Sequence, residues 1–309
     1  MLNIPVFSFP TTVVLVDDDV STWDKFKQAL GGKYRVKCFG TAEDALEFIE
    51  NNKSVLQSSN FITQSDSYEY QKNHMVVDVD LDRVLQLSKD AERYNEISTI
   101  IIDYELPDMT GIELCERLSS YPIKKILLTA KLSEGSVIQA FNEGWINSFV
   151  TKMNTHYEDQ VGKTVECMQE DFFIENTETI ATGVNVNNNL ADFDPVFSYF
   201  FNELVTARKI KESFLIDSFG SRLLIDEDKK EYLFIVHNDE TLDEFVEVYS
   251  DEPGIEKFID MIRARTHIPF LGEDDKLLGI DEITWSKKFH KANFLQGRYH
   301  RYYWSLISK

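Results

Sequence analysis

A chain of 309 residues is about twice an ordinary domain, so two folding units are expected. Apolar residues at 43% and aromatics at 13% are enough for packed cores, which excludes disorder throughout. Lys plus Arg is 32 and Asp plus Glu is 53, and the resulting charge of −21 repels phosphate backbones and anionic membranes, which excludes a general DNA coater.

The chain begins with an apolar stretch, Met1 to Pro10, that has no basic flank and two prolines, so it does not read as a signal peptide. Thr12 to Val16 then predicts a strand, and Val20, Trp23, Phe26 and Leu30 predict a helix that stops at Gly31-Gly32. Val36 to Phe39 is a second strand; Thr41, with Asp44 three residues on, caps a second helix. Thr99 to Ile102 is apolar throughout, as a strand buried on both faces must be. Lys125 to Thr129, a helix ending at Gly144, a strand at 147–151 and a helix from Tyr157 to about Phe172 complete five βα repeats. Between the second helix and the third strand lies an insertion at 52–97, about forty residues beyond the usual connection. Its Ser/Asn/Gln-rich first part, 53–74, reads as polar loop, and Leu81 to Tyr94 reads as helix.

A polar stretch at 175–191, with an Asn-rich tract at 185–189, predicts a linker. The region 192–309 changes character: a helix over 194–208, three short strands at 213–216, 222–225 and 232–236 joined by turns, then helices at 242–249 and 255–265. The expected architecture is α/β for 1–174, a five-stranded parallel doubly wound sheet in order 2-1-3-4-5, followed by an α+β domain with a small antiparallel sheet. No run of about eighteen uninterrupted apolar residues occurs, and three cysteines without a CxxC pair offer neither a disulfide framework nor a zinc site. No membrane partner and a cytoplasmic location are expected.

The first half concentrates its chemistry at one sheet edge. Asp17, Asp18 and Asp19 follow strand one, Asp103 follows strand three, Thr129 ends strand four and Lys152 follows strand five, and parallel strands bring these ends together. Carboxylates so placed repel one another unless a cation sits among them, and hard oxygen ligands suit Mg²⁺. A lysine and a hydroxyl beside them suit a phosphoryl oxygen, so the group describes phosphoryl transfer to a carboxylate. Asp19 reads as a helix cap and Asp108 as part of the turn leading to Gly111.

In these residues the chain resembles the receiver domain of two-component response regulators. The resemblance rests on Asp17-Asp18, the block Asp103-x-x-x-Pro107-x-x-x-Gly111, the Thr129-Ala130 step and Phe149-x-x-Lys152. It implies that Asp103 accepts a phosphoryl group from a histidine kinase or phosphotransfer protein. It also implies that Asp18, Asp103 and the carbonyl of Glu105 hold Mg²⁺, with Asp17 acting largely through water. Lys152 would pair with the phosphoryl oxygens, Thr129 would hydrogen-bond one of them, and Phe149 would turn inward behind Thr129. The protein would then be a phosphoacceptor rather than an enzyme with its own substrate, and phosphorylation would control homodimerisation or binding of a downstream protein through the face of helix 4, strand 5 and helix 5. The apolar stripe Val161, Val165, Met168 and Phe172 offers a dimer contact or ordinary packing on the sheet. Met153 stands where the family usually has proline, and Glu105 with Lys131 are candidates for a salt bridge limiting attack by water.

The second half carries no helix-turn-helix, nucleophile elbow, Gly-rich phosphate loop or metal-ligand spacing among its histidines. Asp217-Ser-Phe-Gly220-Ser221 reads as a hairpin turn. The segment 285–309 holds Lys287, Lys288, Lys291, Arg298, Arg301 and Lys309 with no acid, a local +6, interleaved with aromatic residues. That composition can stack bases and hold phosphates, or dock an aromatic element on an acidic body. A nucleic-acid- or nucleotide-binding regulator, or an output enzyme of a type its motifs do not reveal, therefore stands beside the signalling switch. The long insertion and missing helix-turn-helix also resemble atypical response regulators of α-hydroxyketone quorum sensing, without a motif in the output half to carry the likeness.

Overall fold

Five runs rich in β-branched and aliphatic residues form strands β1 (Thr12–Val16), β2 (Arg35–Phe39), β3 (Ile97–Asp103), β4 (Lys124–Thr129) and β5 (Ser148–Thr151). They pair in parallel in the order β2-β1-β3-β4-β5, the doubly wound order expected. The structure is a computed structural model and describes residues 4–59, 61–64, 77–130, 134–185, 190–271 and 285–309.

Strand residues alternate between two cores because successive side chains point to opposite faces. Val14, Val16, Ile100, Ile102 and Leu127 pack against helices α2 (Ala42–Asn51), α3 (Gly111–Arg117) and α4 (Glu134–Asn142). Val13, Leu15, Ile101, Ile126 and Leu128 pack against α1 (Val20–Ala29) and α5 (Tyr157–Val184). The stripe on α5 serves this second core: Val161 and Val165 are fully buried in it and Met168 packs on it, while Phe172 is buried as well. Its alternative reading as a dimer contact is thereby corrected, since its apolar surface is already covered within the chain.

The first part of the stretch expected as linker is helix instead: α5 continues unbroken through 175 to Val184. The helix has the means to continue, because no Pro or Gly interrupts it before Gly183 except Gly162, where the backbone carbonyl of Ala29 approaches within 3.1 Å of a Cβ position. Most of the Asn-rich tract lies outside the described residues.

The chain divides into two compact units that cut it differently from a linear division at 174 and 191. One comprises Ser8–Asn60 and Leu87–Asn176; the other comprises Met1–Phe7, Phe61–Gln86 and Thr177–Lys309. The insertion is therefore shared. Its root stays with the parallel sheet, where buried Glu96 accepts from Ser54 Oγ, Val55 N and Leu56 N. Its hairpin, Ile62–Gln64 with Val77–Val79, and its helix Leu81–Leu87 up to Gln86 belong to the second unit; the polar stretch 65–76 lies outside the described residues.

The second unit is built on an antiparallel sheet of six strands. Their order is Phe7–Ser8, β6 (Ile210–Leu215), β7 (Arg222–Asp226), β8 (Glu231–Asn238), β10 (Arg301–Ser308) and β9 (Asn293–Gln296). Helix α6 (Pro195–Ala207) covers one face through Phe197 and Phe201 against Leu224, Phe234 and Val236. Helices α7 (Asp239–Tyr249) and α8 (Glu256–Arg263) cover the other with Ile235, Trp285 and Phe289. The turn at Asp217 is as expected, its Oδ1 accepting from Phe219, Gly220 and Ser221 N–H groups at 2.9–3.0 Å.

One buried histidine makes this unit sensitive to acid. His237 Nε2 lies 2.9 Å from Pro269 O, and burial pushes its pKa below 6.5, against the charge of Asp217 and the Pro269 carbonyl. A depressed folded-state pKa means the unfolded chain takes the proton first, so stability present above about pH 6.5 falls as pH drops below it. Urea unfolding at neutral pH and at about pH 5.5 should show that loss, and His237→Gln should shrink it.

Candidate phosphoacceptor site

Four of the five strands of the parallel sheet, all but β2, end by delivering a functional group. Asp17 directly follows β1 and is fully buried, with Oδ1 accepting from Asp19 N at 2.9 Å. Asp18 beside it is exposed. Asp19 caps α1 by accepting from Ser21 N at 3.0 Å, the role its position predicts.

Asp103 is the last residue of β3, followed by a tight return of the chain. Gly111 N donates to Tyr104 O at 2.8 Å and Glu105 bridges Thr110. A Cβ on Gly111 would lie 2.2 Å from the backbone oxygen of Asp103, so the turn closes only with glycine there. This is the physical content of the Asp103 to Gly111 spacing. Asp108 takes hydrogen bonds from the turn's own backbone at Asp108 and Met109 and also reaches beyond it: Oδ1 and Oδ2 accept from Ala42 N (3.1 Å) and Glu43 N (2.9 Å), capping α2 from another loop. Although burial opposes it, those donors hold its carboxyl below the usual range.

The cation sits between the acids. Lys152 Nζ lies 2.7 Å from Asp103 Oδ2 and 3.0 Å from Asp17 Oδ2. Burial opposes the ammonium's charge, but Asp103 and then Asp17 raise its pKa above the ordinary value. Burial raises the Asp103 carboxyl, with Lys152 pulling against it and Asp17 adding to it. Thr129, at the end of β4, is 1% exposed, and its carbonyl accepts from Lys152 N at 2.8 Å, which holds the β4 and β5 ends together. Phe149 on β5 is 41% exposed and faces outward. Lys131, the expected partner of Glu105, lies outside the described residues.

Carboxylate oxygens of Asp17, Asp18 and Asp103 all come within 4.8 Å of one another. Three carboxylates and one ammonium leave −3 + 1 = −2, and hard oxygens at this spacing fit a small divalent cation such as Mg²⁺. Sequence reasoning placed Trp23 only in the helix pattern; its Nε1 also donates to Asp17 O at 2.9 Å, fixing the backbone under the acidic pair. No spacing rule marks such a contact.

Arg301 Nε pairs with Asp239 at 2.6 Å, Lys287, Lys291 and Arg298 are exposed, and Lys288 is half-buried with its carbonyl accepting from Phe270 N. The aromatics expected between them mostly enter the core: Trp285, Phe289, Tyr302 and Tyr303 are buried, leaving Phe294 and Tyr299 exposed.

No family model matches the sequence, and no curated protein matches it. Among solved structures, the Legionella pneumophila response regulator LqsR aligns over 100% of this chain and 90% of its own at 24% identity and a TM-score of 0.80. A CheY-like receiver domain from Methanospirillum hungatei aligns over 54% of this chain and 98% of its own, at 20% identity and a TM-score of 0.37. The receiver domain of a putative LuxO repressor from Vibrio parahaemolyticus aligns over 54% and 95%, at 20% identity and a TM-score of 0.37. From end to end, both units included, the chain thus shares the fold of a response regulator.

Proposed function

We propose that this protein is a response regulator that accepts a phosphoryl group on Asp103 from a histidine kinase or phosphotransfer protein. The observation that carries the reading is the contact of Lys152 with both Asp17 and Asp103 inside an acidic cluster at the C-terminal ends of parallel strands. A carboxylate oxygen of Asp103 attacks phosphorus, the bond from phosphorus to the donor nitrogen breaks, and the imidazole leaves with the electron pair and gains a proton. Lys152 orients the attacking carboxylate and meets the charge on the transferred group. Thr129 offers its hydroxyl to a phosphoryl oxygen, and Asp17, Asp18 and Asp103 with the Glu105 carbonyl would hold a divalent cation. Mg²⁺ held there supplies charge neutralisation for an anion approaching three carboxylates. The chain acts as acceptor, and any loss of the phosphoryl group to water is receiver chemistry rather than turnover of a substrate.

Communication outward runs through Thr129 and Phe149. With Thr129 drawn toward the new phosphoryl group, space opens for Phe149 to turn inward from its exposed position, a two-state element biased by a local charge. Ile138 and Phe141 on α4 are 58% and 53% exposed and, with Phe149, supply apolar surface for self-association on that side of the unit. Among the described residues no helix is long and apolar enough to cross a membrane. Three free cysteines suit the reducing cytoplasm.

The test is transfer of labelled phosphate from a phosphohistidine carrier. Wild type should take up label in proportion to carrier consumed, and Asp103→Asn should take up none while keeping its thermal midpoint. Equal labelling of the two would overturn the proposal.

A further inference from the structure

The free edge of the antiparallel sheet is half used. β9 pairs only with β10 in the sheet, in the register Asn293 to Trp304 and Gln296 to Arg301. Gly297 N donates to His300 O, and at the far end of β10 Lys309 N donates to Glu231 O. These two bonds fix the alternation, so Asn293 and Leu295 bond to β10 while the N–H and C=O groups of Phe294 and Gln296 point away from it. Just upstream the same edge is already occupied, because Phe289–Lys291 pairs antiparallel with His267–Pro269 and Ala292 N donates to Thr266 O at 2.8 Å. Beyond Ala292, among the described residues, nothing bonds to the outward backbone groups of Phe294 and Gln296.

The side chains around this open edge select its occupant. Phe294 packs on Tyr303 at 5.8 Å between ring centroids yet is 58% exposed, so an apolar side chain on an added strand would cover it. Lys291 and Arg298 flank the edge, both exposed and neither with a carboxylate partner among the described residues, on a chain of −21. A second copy pairing antiparallel through these outward groups, Phe294 opposite Gln296, would set Lys291 opposite Tyr299 and Arg298 opposite Ala292, gathering four cations on one short edge whose own segment, 285–309, holds no acid.

We propose that β9 is a docking edge for an extended acidic segment of a partner protein, which adds as a seventh strand through the backbone groups of Phe294 and Gln296, covers Phe294 with an apolar residue and pairs its acids with Lys291 and Arg298. This site belongs to the second unit and does not depend on phosphorylation of Asp103, so it stands or falls separately from that reading.

The test uses the unphosphorylated full chain and a labelled, end-capped peptide of alternating Glu and Val, read by fluorescence anisotropy. Saturable binding is expected, weakening by about tenfold when the peptide carries N-methyl groups at alternate residues, because one lost backbone pairing is worth about that much. Phe294→Pro and, separately, Gln296→Pro should each weaken binding similarly, since both remove an outward N–H without touching the ladder to β10. The second substitution keeps the ring, which separates loss of the backbone donor from loss of Phe294. Lys291→Glu with Arg298→Glu should abolish binding of the Glu peptide and favour a Lys peptide of the same pattern. Unchanged circular dichroism and thermal midpoint certify the fold of each variant. Absence of peptide binding, equal binding of the N-methylated peptide, binding of oligothymidylate in place of the peptide, or a sedimenting dimer that Gln296→Pro dissolves would each overturn the proposal.

Discussion

Arg222→Ala is expected to destabilise the second unit by about 3–5 kcal/mol, the largest effect on stability of any single replacement considered, because it strips the partner from a buried charge. Arg222 and Asp192 are both fully buried and paired, and Arg222 Nη1 also donates to Pro5 O (2.9 Å) and Ser213 Oγ (3.1 Å). The guanidinium further lies 5.3 Å from the ring centroid of Phe201. Truncation leaves Asp192 with no counter-charge and the Pro5 carbonyl without a donor, so the N-terminal strand should loosen with the core. Replacing both partners by apolar residues, Asp192→Leu with Arg222→Met, should recover part of the loss, since it removes the stranded charge but not the stranded carbonyl. Urea unfolding of the three chains decides the matter. Equal stability of wild type and Arg222→Ala would show that the pair contributes nothing net.

Lys152→Ala is expected to slow phosphoryl uptake by about 100- to 1000-fold, the range found when a preorganised charge donor is removed from a reacting anion. Its Nζ touches the nucleophile's carboxylate and the buried neighbour together, so its removal both frees Asp103 to wander and leaves Asp17 without a counter-charge. The same substitution raises the uncompensated charge of the cluster from −2 to −3, and added Mg²⁺ should therefore raise the variant's thermal midpoint more than it raises that of wild type. Single-turnover uptake from acetyl phosphate, with thermal melts at several Mg²⁺ concentrations, measures both. Wild-type rates in the variant would show that Lys152 is only structural.

The parallel sheet and its acidic edge were legible in the sequence because both follow local rules. Apolar runs such as Thr99 to Ile102 admit only a strand covered on two faces, and the βα order then fixes where Asp17, Asp103, Thr129 and Lys152 meet. What escaped were contacts made at long range. Asp108 caps a helix 65 residues away, a role that its own turn-forming neighbours do not suggest. The N-terminal apolar stretch looked like the start of the first unit, yet Leu215 N donates to Val6 O and Arg222 reaches Pro5. α5 ran on into the expected linker, to Val184, because polar residues carry a helix as readily as a loop when neither Pro nor Gly breaks it. The basic, aromatic end of the chain was ambiguous by composition alone; burial divides its aromatics, Trp285 and Tyr302 being core residues while Phe294 and Tyr299 stay exposed.

The most direct measurement is peptide-level mass spectrometry of the full chain after incubation with acetyl phosphate and Mg²⁺. A single phosphoryl group should appear on the peptide containing Asp103, vanish when the cation is chelated beforehand, and be absent from Asp103→Asn. An unmodified chain, or a phosphoryl group on another residue with Asp103 free, would contradict the proposed role of that carboxylate.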